Sequence, residues 1–253
     1  MEKTGRKVIV RGCSGGTING YAFLMSQTEA WRKKHVMAFV AVAPVFGGTV
    51  SSLHSVLAGW KKSQMGRCSG RAAAELLPSV LWMWPRRGLW NKTETLVITK
   101  TKNYTAYDLD RMLIDMGLPR TKAMLDLEAA DDLEAFAPPM VDTYVFYGYG
   151  LATEAGFDLG HRDFAPGTDG PDVCPDGKDK SLRRPWDDGD VVAPLRSCAR
   201  AAAWAEPHKQ AGVVLQNYGY DDMHHGCNVN GKHAGKDYAC VMAKLEGKPH
   251  GDC

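Results

Sequence analysis

A chain of 253 residues with 44% apolar content is long enough for one large or two small domains around a full core, and this composition excludes disorder as its default state. With 31 basic and 29 acidic side chains the net charge is only +2, which excludes the strongly basic surface of a nucleic-acid binder. No apolar run reaches the length that spans a bilayer, and Met1-Glu2-Lys3-Thr4-Gly5 leads straight into a strand with no signal peptide, so any export signal is expected upstream of this chain. Residues 7–11, Lys-Val-Ile-Val-Arg, predict a strand, and Gly12-Cys13-Ser14-Gly15-Gly16 follows it. Residues 19–34 predict one helix, with Tyr21, Phe23, Leu24 and Trp31 towards a sheet and the basic run Arg32-Lys33-Lys34 at its C-terminal end. Residues 36–43 predict a second, buried strand, broken at Gly47-Gly48.

Residues 49–59 predict a short helix, and 60–95, mixing Trp, Pro, Gly and Arg, an irregular stretch. A short strand is expected over Leu96-Val97-Ile98-Thr99. Helices follow over 106–117, ending at Gly117, and over 120–136, stopped before Pro138-Pro139. Thr143-Tyr144-Val145-Phe146-Tyr147 predicts a third strand, closed by Gly148-Tyr149-Gly150. Residues 151–189 predict a long loop, 195–205 an Ala-rich helix and 212–216 a fourth strand; nothing regular is expected from His224 onward. Strands alternating with helices imply a parallel sheet. The stretch near 50–140 is too long for a simple crossover and reads as an inserted cap.

A strand, then G-x-S-x-G, then a helix is the pattern of the nucleophile elbow of an α/β-hydrolase. Its glycines are expected to avoid clashes around a serine held in a strained turn. A serine hydroxyl is a weak nucleophile and needs a histidine to take its proton and an acid to orient that histidine, in the chain order Ser, acid, His for this fold. The acid is expected in Asp187-Asp188-Gly189-Asp190, although such a turn before a helix also suits an N-cap. The histidine is expected at His224 or His225, on the loop after the fourth strand. A metal site at Asp221, Asp222, His224 and His225 is disfavoured, because neighbours on one loop rarely converge on an ion; no metal is expected. His54, His161 and His208 read as structural. An oxyanion hole needs two N–H donors, one expected from Gly15 and the other from a loop upstream of this chain.

Seven cysteines without a C-x-x-C, together with the sequons Asn91-Lys92-Thr93 and Asn103-Tyr104-Thr105, lean towards a secretory compartment, some disulfides and glycosylation. Cys174 and Cys198 flank the aspartate loop and suggest one pairing. Trp60, Trp82, Trp84 and Trp90 lie close together, and both core packing and a lipid-facing surface use such rings.

From about Val8 to Val229 these residues resemble the C-terminal part of the lecithin:cholesterol acyltransferase family, whose relatives include lysosomal phospholipase A and phospholipid:diacylglycerol acyltransferase. Gly12-Cys13-Ser14-Gly15-Gly16 is similar to the family's nucleophile box, which usually has His at the place of Cys13. Ala30-Trp31-Arg32-Lys33-Lys34 with Ala43-Pro44-Val45-Phe46-Gly47-Gly48 resembles its "AW+K+ … APWGG" segment. Pro78, Ser79, Trp82, Pro85, Trp90 and Asn103-Tyr104-Thr105 resemble its cap, and Phe146-Tyr147-Gly148-Tyr149-Gly150 its "YGxG" strand end. Asp188-Gly189-Asp190-Val191-Val192-Ala193-Pro194-Leu195-Arg196-Ser197 is similar to "DGDGTVPLxS", whose second aspartate matches Asp190. The histidine loop departs from the family's: it is about one residue longer and lacks the acid before His, so His224 fits the upstream count and His225 the downstream one.

The resemblance implies an α/β-hydrolase whose parallel sheet lacks its N-terminal strands. Its core would be 1–48 and 140–253, with 49–139 inserted as a cap or lid. It implies Ser14 as nucleophile, His225 or His224 as base, Asp190 as acid, Gly15 in the oxyanion hole and no cofactor. The acyl donor would be a phospholipid, and the acceptor water, a sterol or diacylglycerol. Work would take place peripherally at a membrane or lipid-particle surface, with the Trp-rich segment facing lipid, in the secretory lumen, a lysosome or vacuole, or outside the cell. The competing expectation is a truncated, non-catalytic fragment. A nucleophile strand without its upstream partners is an exposed edge, and half of the oxyanion hole would be missing.

Overall fold

Four strands form one parallel sheet in the order β1 (Val8–Cys13), β2 (Val36–Val42), β5 (Asp142–Gly148), β9 (Leu215–Tyr220). The structure is a computed structural model and describes residues 5–58, 75–128, 135–160, 163–164, 186–221, 223–229 and 231–249. The chain divides into two units, Met1–Phe46 with Phe136–Thr153 and Asp188–Cys253, and Gly47–Ala135 with Glu154–Asp187.

The first unit holds the four-stranded sheet. β2 is a continuous apolar run because both faces are covered over most of its length; Ala38 to Val42 are all 0% exposed. On one face α1 (Gly15–Met25) buries Ile18, Tyr21 and Leu24. Tyr21 lies against Phe46, Phe136 and Trp204. On the other face Val40, Val42, Tyr144 and Phe146 meet Ala234 and Val241 of α9 (Lys232–Glu246).

Three local expectations are corrected here. The helix expected over 19–34 is two, α1 and α2 (Glu29–His35), because the Thr28 hydroxyl accepts the Trp31 N–H and caps a fresh start. Phe23 does not face the sheet; it is 45% exposed and sits edge-on to Trp31 at 5.8 Å. The fourth strand runs over Leu215–Tyr220, later than 212–216, because its ladder with β5 extends from Thr143↔Leu215 to Gly148↔Tyr220. The tail expected to be irregular carries the 15-residue helix α9, whose Val241, Met242 and Leu245 pack on the sheet and which ends at Gly247 in the left-handed conformation.

The second unit contains α3 (Val50–Ala58), α4 (Pro78–Trp82), α5 (Leu109–Asp115) and α6 (Pro119–Glu128). Its three-stranded sheet has β3 (Thr95–Ile98) between antiparallel β4 (Asn103–Thr105) and parallel β7 (Phe157–Asp158). Its core gathers Leu53, Val56, Trp84, Trp90, Met112 and Phe157. Trp84 and Trp90, 2% and 3% exposed, are thus core residues and not a lipid-facing surface; Trp60 lies outside the described residues. The stretch 151–189 is not only loop: besides β7 it holds β6 (Leu151–Glu154) and β8 (Trp186–Gly189), which pair with each other. In the first unit, residues 195–210 form two short helices, α7 (Leu195–Cys198) and α8 (Ala205–Gln210), around a 3₁₀ turn over Ala199–Trp204. Among the described residues no helix is long and apolar enough to cross a membrane.

Candidate active site

Ser14 stands where β1 ends and α1 begins, with φ 52° and ψ −129°. A non-glycine residue held at positive φ costs of order 1–3 kcal/mol and persists only where its surroundings over-determine it. They do so here. The Ser14 N–H donates to Val42 O at 3.0 Å, and Ser14 O accepts from the Thr17 N–H at 2.9 Å and the Thr17 hydroxyl at 2.6 Å. The turn is also closed sterically. A Cβ on Gly12 would lie 2.6 Å from Gly16 O and 2.7 Å from Thr17 Cα. Gly16 has open space at the same position, which corrects the expectation that the motif's glycines all relieve clashes. Gly15 is the first residue of α1, where helix geometry leaves an N–H without an intrahelical acceptor, directed at the end that favours negative charge.

His225 links the elbow to the aspartate loop. Its Nε2 is 2.7 Å from Ser14 Oγ and its Nδ1 is 2.8 Å from Asp190 Oδ2. An ionised carboxylate only accepts, so Nδ1 carries the proton and Nε2 accepts from the Ser14 hydroxyl. A second bond repeats the tie on the backbone: the His225 N–H donates to Asp190 O at 2.9 Å. Asp190 is 0% exposed, and its other oxygen accepts from the Val192 and Ala193 N–H groups at 3.1 and 2.8 Å. The turn carrying it includes Val191 at φ 87°, whose N–H donates to Thr153 Oγ1 at 2.9 Å. The histidine loop seats on β5 because Gly148 has no side chain; a Cβ there would lie 1.7 Å from Met223 O.

Ser14, Asp190 and His225, expected from the sequence, thus meet in one chain of hydrogen bonds. His224, the alternative, is exposed and is not the residue that joins Ser14 to Asp190. Asp188 is used otherwise, accepting the Gly150 N–H at 2.5 Å. The suggested Cys174–Cys198 pairing fails: Cys198 is a free, buried thiol, with Sγ 3.8 Å from Asp190 Oδ2, while Cys174 lies outside the described residues. Burial, and then the Asp190 charge, push that thiol well above its usual range, so it stays protonated. Cys13 is instead bonded to Cys227, which closes the elbow onto the histidine loop. Among the described residues no group of three or more His, Cys, Asp or Glu is placed to hold a metal ion.

Sequence reasoning missed Thr17, Thr153 and the Cys13–Cys227 link. Thr17 had no signal beyond its position three after Ser14, and Thr153 none. The cystine had one: Cys13 stands where the resembling family usually has His.

An imidazole bonded at one nitrogen to a hydroxyl and at the other to a buried carboxylate can take a proton from the first while the second stabilises the resulting charge. Fold and site together define an α/β protein with a parallel sheet and a Ser–His–Asp chain at its strand ends. The family model for lecithin:cholesterol acyltransferase matches residues 1–133, and the chain belongs to that family. It is 26% identical to a phosphatidylcholine-sterol acyltransferase of Gallus gallus over 86% of this chain and 50% of the relative. It is 28% identical to a lysosomal phospholipase A and acyltransferase of Rattus norvegicus over 84% of this chain and 48% of the relative. The chain therefore spans about half the length of the curated relatives it matches. A chain in the crystal structure of the Tle4–Tli4 complex shares its fold, with a TM-score of 0.58 at 12% identity over 96% of this chain and 59% of that one.

Proposed function

We propose that the chain carries the nucleophile, base and acid of a serine-dependent acyltransferase or phospholipase acting on glycerophospholipids, built as an α/β-hydrolase core (1–48 and 140–253) with residues 49–139 inserted as its cap. The observation that carries the reading is the unbroken chain Ser14 Oγ, His225, Asp190, with Ser14 at positive φ. Ser14 Oγ attacks the ester carbonyl while His225 Nε2 takes its proton, and the buried Asp190 carboxylate stabilises the imidazolium. The Gly15 N–H supports the oxyanion, a kind of donor worth roughly a hundredfold or more in rate. The lysophospholipid leaves with the proton from His225. The acyl-enzyme then passes its acyl group to water or to an alcohol such as a sterol or diacylglycerol, and no step calls for a cofactor. A Cys13–Cys227 cystine suits the secretory lumen, a lysosome or vacuole, or the extracellular space. The names of the two relatives support both the phospholipid donor and the sterol acceptor.

The test is fluorophosphonate labelling of the full-length protein with Ser14→Ala as control, followed by labelled phospholipid with and without a sterol or diacylglycerol. Labelling that depends on Ser14 and release or transfer of the acyl chain are expected; a folded full-length protein that neither labels nor turns over rejects the reading. The second reading, a protein of this family without turnover, draws on one observation: among the described residues β1 is an edge strand of the four-stranded sheet.

A further inference from the structure

We propose that the Cys13–Cys227 cystine is a positioning clamp for His225, so that turnover by this centre depends on the oxidised state of that bond; the inference rests on the catalytic reading of Ser14 and His225. Cys13 immediately precedes Ser14, and Cys227 lies two residues after His225. The bond therefore joins the two reacting side chains' own loops across a sequence separation of 214 residues. The two loops are held unequally: Cys13 is still in the β1–β2 ladder, paired with Val42, whereas the histidine loop has no ladder of its own. The described segment from Met223 to Val229 contains no helix or strand.

The histidine loop has non-covalent ties as well: Met223 is buried against Gly148, and the His225 ring bonds the Asp190 carboxylate at 2.8 Å. The Arg11 guanidinium donates to Cys227 O at 2.7 Å from an exposed position, and the His225 N–H donates to Asp190 O. Both fix the loop towards the acid or towards β1, and neither fixes the short distance between Ser14 Oγ and Nε2. A displacement of about 1 Å is enough to cost on the order of a hundredfold in rate. The covalent link removes that freedom.

Cys227 is exposed, so the bond is open to exchange. A dithiol reductant attacks one sulfur as thiolate and forms a mixed disulfide. Its second thiolate then closes on the first sulfur and releases the protein thiol. The dithiol loses two electrons and becomes a cyclic disulfide; Cys13 and Cys227 gain the two electrons and two protons. His225 is then held by hydrogen bonds and by the packing of Met223, with no covalent tie to the serine turn. Cys240 is also disulfide-bonded, so reduction by itself does not isolate this clamp.

The experiment uses the full-length protein in three forms: oxidised, reduced with a dithiol, and the double variant Cys13→Ser/Cys227→Ser without reductant. Mass spectrometry follows the thiols and circular dichroism the fold. Reduced protein and double variant are both expected to lose about tenfold or more in kcat with KM little changed, and amide exchange over 223–229 is expected to speed up. Reduction of the double variant should change neither further. Unchanged kcat, or unchanged exchange in that loop, with the bond shown open and the fold retained overturns the clamp. A KM rise at constant kcat also overturns it, since that is the mark of lost substrate binding. The oxidised arm separates the two hypotheses: if oxidised protein neither labels with fluorophosphonate nor turns over, the catalytic reading has failed, and the clamp with it.

Discussion

His225 is tied to Asp190 twice, through its ring Nδ1 to the carboxylate at 2.8 Å and through its backbone N–H to the Asp190 carbonyl at 2.9 Å. The acid thus fixes both the tautomer of the ring and the height of the loop that carries it. These two contributions are separable. In Asp190→Asn the backbone bond and the acceptor for Val192 and Ala193 survive, but an amide N–H faces Nδ1 and forces the proton to Nε2. A fall in kcat of roughly 10³–10⁴-fold is expected with a melting temperature close to wild type. Steady-state turnover and thermal unfolding measure the two, and a loss below about tenfold would show that the carboxylate does not act through the histidine.

The neighbouring histidines should differ sharply. His225→Ala removes the ring that spans Ser14 and Asp190, and turnover is expected to fall by on the order of 10⁴-fold or more. His224→Ala, at an exposed position, should stay within a few-fold. Equal losses in the two variants would contradict the assignment.

The elbow's glycines make opposite predictions. Gly12→Ala drives a methyl into backbone at 2.6–2.7 Å, which cannot rotate away, and should destabilise the protein by roughly 1–3 kcal/mol. Gly16→Ala meets open space inside a helix and should be neutral or gain up to about 1 kcal/mol. Denaturant midpoints of both variants give the comparison.

A pH effect on stability is expected from His208. It is 1% exposed, stacked on Trp204, and its Nδ1 donates to Trp204 O at 3.1 Å. Burial opposes its charged form and lowers its pKa from 6.5, against the pull of the Trp204 carbonyl. The native state therefore binds fewer protons than the unfolded chain once the pH falls below about 6.5, and stability declines as pH drops through that value towards the native pKa. Above that window both states are neutral at this site and its contribution is flat. Unfolding midpoints from pH 8 to 5 should fall more steeply for wild type than for His208→Leu; parallel curves would assign the pH dependence elsewhere.

Much of the site was legible before folding was considered. Ser14 lies between a strand pattern and a helix pattern, a local arrangement that short-range sterics dictate. The cluster Asp187-Asp188-Gly189-Asp190 follows in the right order, but the choice of Asp190 within it came from the resemblance to the family's motif. The choice between His224 and His225 was not legible, since adjacent loop residues differ only in which way the loop turns. That turn is set by Met223 against Gly148 and by the bond to Cys227. The helix Lys232–Glu246 escaped for a related reason: its Gly and His dilute the helical pattern, and packing of Val241, Met242 and Leu245 on the sheet overrides propensity.

Sequence by itself determined the alternation of strands and helices, the position of the serine turn and the resemblance that led to the family, because each depends on residues near one another in the chain. Tertiary structure alone decided which histidine meets the serine, which cysteines pair, and that Trp84 and Trp90 are core. Each of those depends on groups far apart in sequence, and the distances that matter to them exist only once the chain has folded.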